Sequence, residues 1–205
     1  MISSQPLHFV KTLPVEEGAR ADLYALLARL LYAGPTPELL QGIAAAAPLA
    51  AENDGALAKA WRELQTACAA ADAQAARQEY EDLFIGVGRA PISVYASHYL
   101  SENWKEHTVV NLRGELARLG LARQPDAVEP EDHVSGLLDV MRHLIVRAQD
   151  GDVALQESFF RSYLAAWYKR FGAAIEAQPN AAFYRTVGRL LVAFIDIEVE
   201  CFQIA

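Results

Sequence analysis

Apolar residues recur every three or four positions along most of the chain, the spacing that places them on one face of an α-helix. The first such series lies in the leucine-rich segment before Gly34 and Pro35, which are expected to end the helix. A second helix is predicted to start at Thr36, a capping residue, with Pro37 in its first turn. The chain therefore begins as a succession of amphipathic helices.

The middle of the chain keeps this helical period but carries a marked interruption. Asp72 is expected to cap a helix that has Tyr80, Leu83 and Phe84 on one face. An irregular loop of roughly ten residues should follow, and such loops often bind ligands. Three residues that disfavour helix are expected to create it: Gly86, Gly88 and Pro91.

After the loop, the helical period resumes and continues to the end of the chain. A long helix is predicted from about Ser97 to Leu119, with Gly120 as its C-terminal glycine. Pro130 is expected to open the next helix, because proline is favoured in a first helical turn. Two further helices complete the chain. The first of them carries an aromatic series: Phe160, Tyr163, Trp167 and Phe171.

The composition supports a single helical domain. The chain has 205 residues, of which 53% are hydrophobic, enough to build one sizeable core. Alanine and leucine dominate over the β-branched residues, which favours helices over strands. About eight helices with short connections predict an all-α, single-domain globular bundle over residues 1–205.

Charge and cysteine content narrow the function. The net charge of −8 argues against a nucleic-acid partner and favours a cationic one. The two cysteines, Cys68 and Cys201, form no CxxC motif, which fits a reducing compartment. Residues 1–17 lack the pattern of a signal peptide, and the apolar run 190–195 is too short to span a bilayer. These features predict a cytoplasmic protein without membrane insertion.

The motifs of common enzyme and metal sites are missing from the sequence. Residues 86–89 lack the spacing of a phosphate-binding loop, and neither a Glu-x-x-His pair nor a GxSxG motif occurs. Asp139 and His143 lie four residues apart on one helix, but two ligands rarely fix a metal, so we interpret them as a surface pair. The chain is expected to be non-enzymatic, with no catalytic residue, metal or cofactor.

Two segments are more distinctive than the rest. Residues 80–100, YEDLFIGVGRAPISVYASHYL, combine a helix end, a glycine and proline loop and a new helix start. Leu83, Phe84 and Tyr99 of this segment are compatible with ligand binding and with core packing. Residues 129–133, EPEDH, place acidic residues at a predicted helix start, where they favour the helix dipole. Because adjacent helical residues point about 100° apart, Asp132 and His133 are expected to face different environments.

Together these two segments resemble the TorD, DmsD and NarJ family of redox-enzyme maturation chaperones. Members typically show an aromatic-x-x-Leu-Phe helix end, a glycine and proline loop, and a downstream Glu-Pro-x-Asp-His. The corresponding residues are Tyr80, Leu83, Phe84, Gly88, Pro91, Tyr99, Glu129, Pro130, Asp132 and His133. The resemblance extends to the leucine-rich first helix and the overall length, with departures at Ala96 and Leu137, where the family often has acidic residues.

This resemblance implies a function and a site. Family members bind the twin-arginine leader of a molybdenum-containing oxidoreductase, and often its folded precursor, in the cytoplasm until the cofactor is inserted. Carboxylates suit the arginines of such a leader, because guanidinium groups pair with them bidentately. We expect Asp132 and Glu129 to contact the arginines and His133 to hold the loop or the peptide backbone. The remaining peptide-binding residues are expected to be Leu83, Phe84, Gly88, Pro91 and Tyr99.

Two other functions stay open at this point. One is a helical interaction module that docks through the aromatic series without reading a leader, although aromatic residues at helical spacing usually pack in a core. The other is a nucleotide-binding protein, as suggested for some relatives, which the missing phosphate loop disfavours. The sequence is compatible with a monomer and with a homodimer, and it does not identify the client enzyme.

Overall fold

The computed structural model describes residues 13–49, 55–86, 88–100, 102–124, 128–148 and 152–204. Within these ranges the chain is helical and forms no β-strand, so the prediction of an all-α fold is confirmed. The helices, in chain order, are α1 (Val15–Tyr32), α2 (Pro37–Ala45), α3 (Ala56–Ala70), α4 (Ala73–Tyr80), α5 (Ala96–Tyr99), α6 (Glu102–Arg118), α7 (Val134–Arg147), α8 (Val153–Phe160), α9 (Tyr168–Glu176) and α10 (Phe183–Ile204). Helices α4 and α8 continue into π-helical turns at Glu81–Ile85 and Arg161–Ala165.

Helix ends that depend on neighbouring residues lie where the sequence predicts them. The Thr36 hydroxyl caps α2 by accepting the amide of Leu39, and Pro37 is the first helical residue. The Asp72 carboxylate caps α4 in the same way. The π-helical turn after α4 ends at Gly86, whose φ of +63° favours glycine. A Cβ atom at this position would lie 2.8 Å from the carbonyl oxygen of Arg89, so the turn has no room for a side chain.

Two predicted helix boundaries are wrong. The helix predicted from Ser97 to Leu119 is broken, because α5 ends at Tyr99 and the extended residue Leu100 precedes α6. Pro130 does not open α7, which begins at Val134. Instead the carbonyl of Pro130 accepts the amide of His133 in a turn, at 3.2 Å, and His133 caps the helix.

One connected hydrophobic core joins residues from α1 to α10. Helix α1 packs along α7, and α10 packs against α3 and α9. The aromatic series of the penultimate helical region lies mainly inside this core: Phe160, Trp167 and Phe171 are buried and Tyr163 is half-buried. The series therefore packs as expected for core residues and offers little surface for docking. None of the helices in the described ranges is long and apolar enough to cross a bilayer.

Polar contacts between distant residues fix the ends of the long helices. Glu198 of α10 is buried and accepts bonds from Arg20 of α1, with a shortest distance of 2.7 Å. At the other end of α10, the Glu79 carboxylate accepts the amides of Phe183 and Tyr184 at 3.0 and 2.8 Å. The amides of a first helical turn have no partner within the helix. Glu79 therefore supplies α10 with a cap from α4.

Candidate functional site

The structure brings the two distinctive sequence segments together. The loop after α4 and the segment before α7 run side by side and form an isolated antiparallel β-bridge. Two backbone hydrogen bonds hold it: the amide of Val134 donates to the carbonyl of Val94 at 2.8 Å, and the amide of Ala96 donates to the carbonyl of Asp132 at 2.9 Å. This pairing keeps residues 132 and 133 out of helix α7. It also fixes the loop against the helix start.

Asp132 is a buried residue that holds α5 in place. Its side-chain Oδ2 accepts the amide of Ser97 at 3.1 Å, and only 2% of the residue is exposed. His133 is equally buried, with 3% exposed. Both residues lie before the helix, so the 100° rotation between helical residues does not apply to them. They nevertheless make different contacts, since Asp132 binds the amide of Ser97 and the His133 ring contacts Tyr32 and Tyr95. The contact of Asp132 with an arginine stays a prediction.

His133 caps α7 through one ring nitrogen. Its Nδ1 accepts the amide of Ser135 at 3.2 Å and lies 2.8 Å from the Ser135 hydroxyl. An accepting Nδ1 carries no proton, so the neutral ring has its proton on Nε2. The rings of Tyr32 and Tyr95 lie nearly perpendicular to the imidazole, with centroid distances of 6.1 and 5.6 Å. Burial lowers the pKa of His133, while the nearby carboxylates of Glu129 and Asp132 oppose this shift.

Glu129 lies beside His133 and is held by a tyrosine. The Tyr95 hydroxyl donates to Glu129 Oε2 at 2.6 Å. Burial, followed by this hydrogen bond, raises the pKa of Tyr95 to about 12. Arg123 donates to the main-chain carbonyl of Glu129 at 3.3 Å rather than to its carboxylate. Among the described residues, no lysine or arginine forms an ion pair with the Glu129 carboxylate.

Glu131 is paired with an arginine of another helix. Arg113 of α6 donates from Nε to Oε1 at 2.8 Å and from Nη2 to Oε2 at 3.1 Å, a bidentate arrangement. This contact lowers the pKa of Glu131. The sequence indicates for Glu131 only a favourable position at a helix start. Nothing in a single sequence connects it to Arg113, which lies 18 positions earlier.

The expected apolar residues lie beneath the loop. Leu83 has no exposed surface and Phe84 is 6% exposed, with its ring against Tyr184 at a centroid distance of 5.1 Å. Tyr99 is also buried and stacks on Trp167 at 5.2 Å. The core-packing interpretation therefore applies to these three residues. The remaining two loop residues of the predicted site, Gly88 and Pro91, are exposed.

A cleft of about 480 Å³ lies where α1, α6 and α7 meet. We call it the acidic cleft, since three carboxylates and one arginine are among its lining residues. These residues are Tyr32, Leu116, Leu121, Ala122, Arg123, Gln124, Glu129, Pro130, Glu131, His133, Ser135, Gly136, Asp139, Val140 and His143. Asp139 and His143 do not pair with each other as expected, because Arg142 and Arg147 contact them instead. Of the predicted site residues, Glu129 and His133 line the cleft.

Comparisons with known proteins identify the family of this chain. The profile of the family described as nitrate reductase delta subunit matches residues 50–173, which include both distinctive segments. The chaperone protein TorD of Vibrio atlanticus is 26% identical over 132 residues, 60% of this chain and 61% of the relative. TorD of Aliivibrio fischeri gives the same figures. TorD of Photobacterium profundum is 27% identical over 126 residues, 57% of this chain and 58% of the relative.

The matched region thus spans about three fifths of the length of these relatives. Their names are those of chaperones, in line with the expectation of a non-enzymatic protein. The family profile covers more than half of the chain. The chain therefore belongs to the nitrate reductase delta subunit family and is similar to its TorD chaperones, as the resemblance predicts.

Proposed function

We propose that the protein is a cytoplasmic chaperone for a molybdenum-containing oxidoreductase. It binds the twin-arginine leader, and with it the apo-precursor, and assists cofactor insertion before export. The observation that carries this proposal is the acidic cleft, which is lined by Glu129, Glu131 and His133 of the second segment typical of the family. The β-bridge joins this segment to the first one. The volume of the cleft lies within the range of roughly 300–1,000 Å³ typical of ligand pockets. Such a cleft accommodates a few side chains of a peptide, and the rest of the leader lies on the adjoining surface.

Electrostatics favour an arginine-bearing peptide. The chain has a net charge of −8, and the acidic cleft presents the Glu129 carboxylate without a cationic partner among the described residues. Opposite charges on two partners accelerate their encounter and favour them over ligands of the wrong charge. A guanidinium that enters the cleft forms a charge-assisted hydrogen bond with this carboxylate, while the Tyr95 hydroxyl keeps it in place.

His133 contributes a hydrogen-bond donor for the peptide backbone. Its Nδ1 is engaged by Ser135, so its Nε2 carries the proton. The ring lines the acidic cleft, and no described residue accepts a hydrogen bond from Nε2. A carbonyl oxygen of a bound peptide is a suitable acceptor for this proton.

Apolar surface is available next to these polar groups. Tyr32 is 56% exposed at the end of α1, and Leu116, Leu121 and Val140 line the same cleft. The apolar stretch that follows the arginines of a leader buries its side chains against this surface. The exposed loop residues Gly88 and Pro91 are proposed to contact the peptide beyond the cleft.

The buried residues of the predicted site act indirectly, because they hold neighbouring elements in place. Asp132 holds the start of α5 through Ser97, and Leu83, Phe84 and Tyr99 fix the loop against the core. We propose that these residues keep the acidic cleft in a binding-competent shape. Their substitution therefore affects leader binding together with stability, whereas Glu129 affects binding alone.

Isothermal titration of candidate leader peptides tests the proposal. The wild-type protein is compared with Glu129→Gln, Asp132→Ala and His133→Ala, and circular dichroism checks that each variant is folded. Glu129→Gln is expected to weaken leader binding by about tenfold, or 1.4 kcal/mol. Glu157→Gln is the matched control, because it removes a carboxylate from an exposed pair with Arg161, away from the cleft. The absence of leader binding by the wild-type protein would refute the proposed function.

The client is found by a separate measurement. The tagged protein is used to capture precursors from the native cytoplasm, with and without their leader sequences, and mass spectrometry identifies them. A molybdenum-containing oxidoreductase precursor captured through its leader is the expected result.

A further inference from the structure

We infer that Glu131 binds one of the two arginines of the leader and that Arg113 occupies this position in the free protein. The inference rests on the proposed function and adds a specificity-determining residue to the same cleft. From the sequence, the arginine contacts are expected at Asp132 and Glu129. The geometry points to Glu129 and Glu131 as the pair of carboxylates that receives two adjacent guanidinium groups.

Glu131 already makes the kind of contact that an arginine of the leader requires. Arg113 meets its carboxylate in the bidentate geometry that arginine prefers, at 2.8 and 3.1 Å. The Glu131 side chain is 9% exposed and the Arg113 side chain 60% exposed. The carboxylate is therefore a fixed part of the protein surface, and the guanidinium approaches it from the solvent side. An arginine from another chain reaches the same oxygen atoms by replacing Arg113.

The exchange of one arginine for another costs little free energy. A mostly exposed ion pair contributes little net stability. Leaving a largely buried carboxylate without any partner is far less favourable. Replacement of one guanidinium by another avoids this penalty, because Glu131 is paired both before and after peptide binding. Arg113 thus competes with an arginine of the leader for the Glu131 carboxylate.

His133 offers a second polar group to a ligand in the same cleft. The residue lines the cleft, and its Nε2 has no hydrogen-bond partner among the described residues. Among these residues the one side-chain atom that is both buried and without a partner is Nε of Arg185, so Nε2 of His133 is open to the cleft. A donor at this atom, close to Glu129, matches a ligand that has both a cationic group and an accepting carbonyl. A peptide with adjacent arginines has both.

The position of Asp132 accounts for the choice of Glu131 over its neighbour. Asp132 is 2% exposed, does not line the cleft, and already accepts the amide of Ser97. Glu131 lines the cleft and is two residues from Glu129, which also lines it. Two such carboxylates in one cleft offer a partner to each of two adjacent arginines.

The test uses two synthetic peptides and three variants of the full chain. One peptide has two adjacent arginines followed by an apolar stretch, and the other has lysines in their place. The variants are Glu131→Gln, Arg113→Gln and, as a matched control, Arg118→Gln. Arg118 also lies on α6, but it pairs with Glu115, which does not line the cleft, whereas Arg113 pairs with Glu131, which does. The control therefore removes the same charge from the same helix. Isothermal titration gives the affinities, and circular dichroism checks folding.

The expected results differ between the two arginine variants. Arg113→Gln should bind the arginine peptide about two- to fivefold more tightly, since the competitor is gone. Arg118→Gln should bind like the wild type. Glu131→Gln should bind the arginine peptide about tenfold more weakly and lose most of its preference over the lysine peptide, because lysine cannot pair bidentately.

Two outcomes overturn the inference, and a third concerns the proposed function. Equal binding by wild type and Glu131→Gln would remove Glu131 from the site. Equal or weaker binding by Arg113→Gln would show that Arg113 is not a competitor, and this variant decides the question if Glu131→Gln does not fold. In both cases the wild-type protein still binds the leader, so the proposed function stands. If neither peptide nor any candidate leader binds the wild type, the proposed function fails as well.

Discussion

Two surface depressions of the protein differ in their charges. A groove of about 760 Å³ lies between α3, α9 and α10, and the acidic cleft of about 480 Å³ lies between α1, α6 and α7. In the groove, three cationic residues face three carboxylates, and several of them are paired. Arg189 contacts Glu176 at 2.7 Å and Glu63 at 3.3 Å, while Lys169 contacts Asp196 at 3.3 Å. The groove is larger, but all three of its carboxylates already form ion pairs with Arg189 or Lys169.

The acidic cleft differs because some of its polar groups lack such partners. The Glu129 carboxylate has a tyrosine hydroxyl but no ion pair, and Nε2 of His133 has no acceptor among the described residues. The groove owes its depth to the close approach of α9 and α10 at Gly172 and Gly188. Its shape therefore follows from helix packing. We therefore base the proposed binding site on available charge rather than on volume.

The largest expected effect concerns the residues that pack beneath the loop after α4. Phe84→Ala should lower the free energy of unfolding by roughly 3–5 kcal/mol, because it removes a buried ring packed among other aromatic side chains. Tyr32→Ala should cost much less, since its side chain is largely exposed, but it should weaken leader binding. Denaturant unfolding and titration of the leader separate the two effects. A loss below about 1 kcal/mol for Phe84→Ala would contradict the assignment of this ring to the core.

The loop before the cleft depends on one glycine conformation. Gly86→Ala is expected to destabilise the protein by about 1–3 kcal/mol, because φ is positive and the new Cβ would meet the backbone of Arg89 and Ala90. Gly42→Ala in α2 is the control, since no atom lies within 4 Å of its Cβ position and alanine favours helix. Unfolding curves in urea provide the measurement. Equal stability of the two variants would show that the loop adapts without Gly86.

Obstruction of each depression tests the comparison directly. Ala122→Trp places a large side chain in the acidic cleft, and Ala173→Trp does the same in the groove. We expect Ala122→Trp to weaken leader binding by about tenfold, or 1.4 kcal/mol, and Ala173→Trp to leave it unchanged. Isothermal titration measures both affinities. The opposite pattern would assign the leader to the groove.

The smallest expected effect is the dependence of the protein's stability on pH. Burial lowers the pKa of His133 below its unfolded value of about 6.5, so the unfolded chain binds more protons below that pH. Stability is therefore complete above pH 6.5 and decreases as the pH falls through the folded-state pKa. His143 in the same cleft has a lowered pKa and adds to this trend. The carboxylate of Glu131, whose pKa is also lowered, contributes only at more acidic pH.

His133→Asn isolates the contribution of His133. Asparagine keeps a capping oxygen for α7 but does not titrate. Urea unfolding of both proteins at about pH 7.5 and about pH 5.5, on either side of the ordinary histidine pKa, should show a smaller loss of stability for the variant. An identical loss in wild type and variant would show that other groups cause the pH dependence.

The sequence predicts the features that local rules determine. The caps at Thr36 and Asp72 and the end of the π-helical turn at Gly86 depend on residues a few positions apart. The start of α7 at Val134 differs from the prediction because the pairing of Val94 with Val134 overrides the local preference for helix. That pairing joins segments far apart in the sequence, and a periodic pattern carries no information about it.

The candidate site was predictable to a similar extent. The two segments, and with them Glu129 and His133, were found from their resemblance to family motifs. The roles of the buried residues could not be found, because Asp132 binds an amide of another helix and Glu131 binds a side chain from α6. Both contacts depend on how helices approach each other in space.

The cap that Glu79 provides for α10 has a consequence for the order of folding. The carboxylate reaches two amides more than a hundred positions further along the chain, at 104 and 105 residues. During synthesis, α4 leaves the ribosome long before α10, so the acceptor for the first turn of the last helix is already present when that helix emerges. The C-terminal helix is thus completed by a residue from the first half of the polypeptide, and a fragment without α4 would have to begin that helix uncapped.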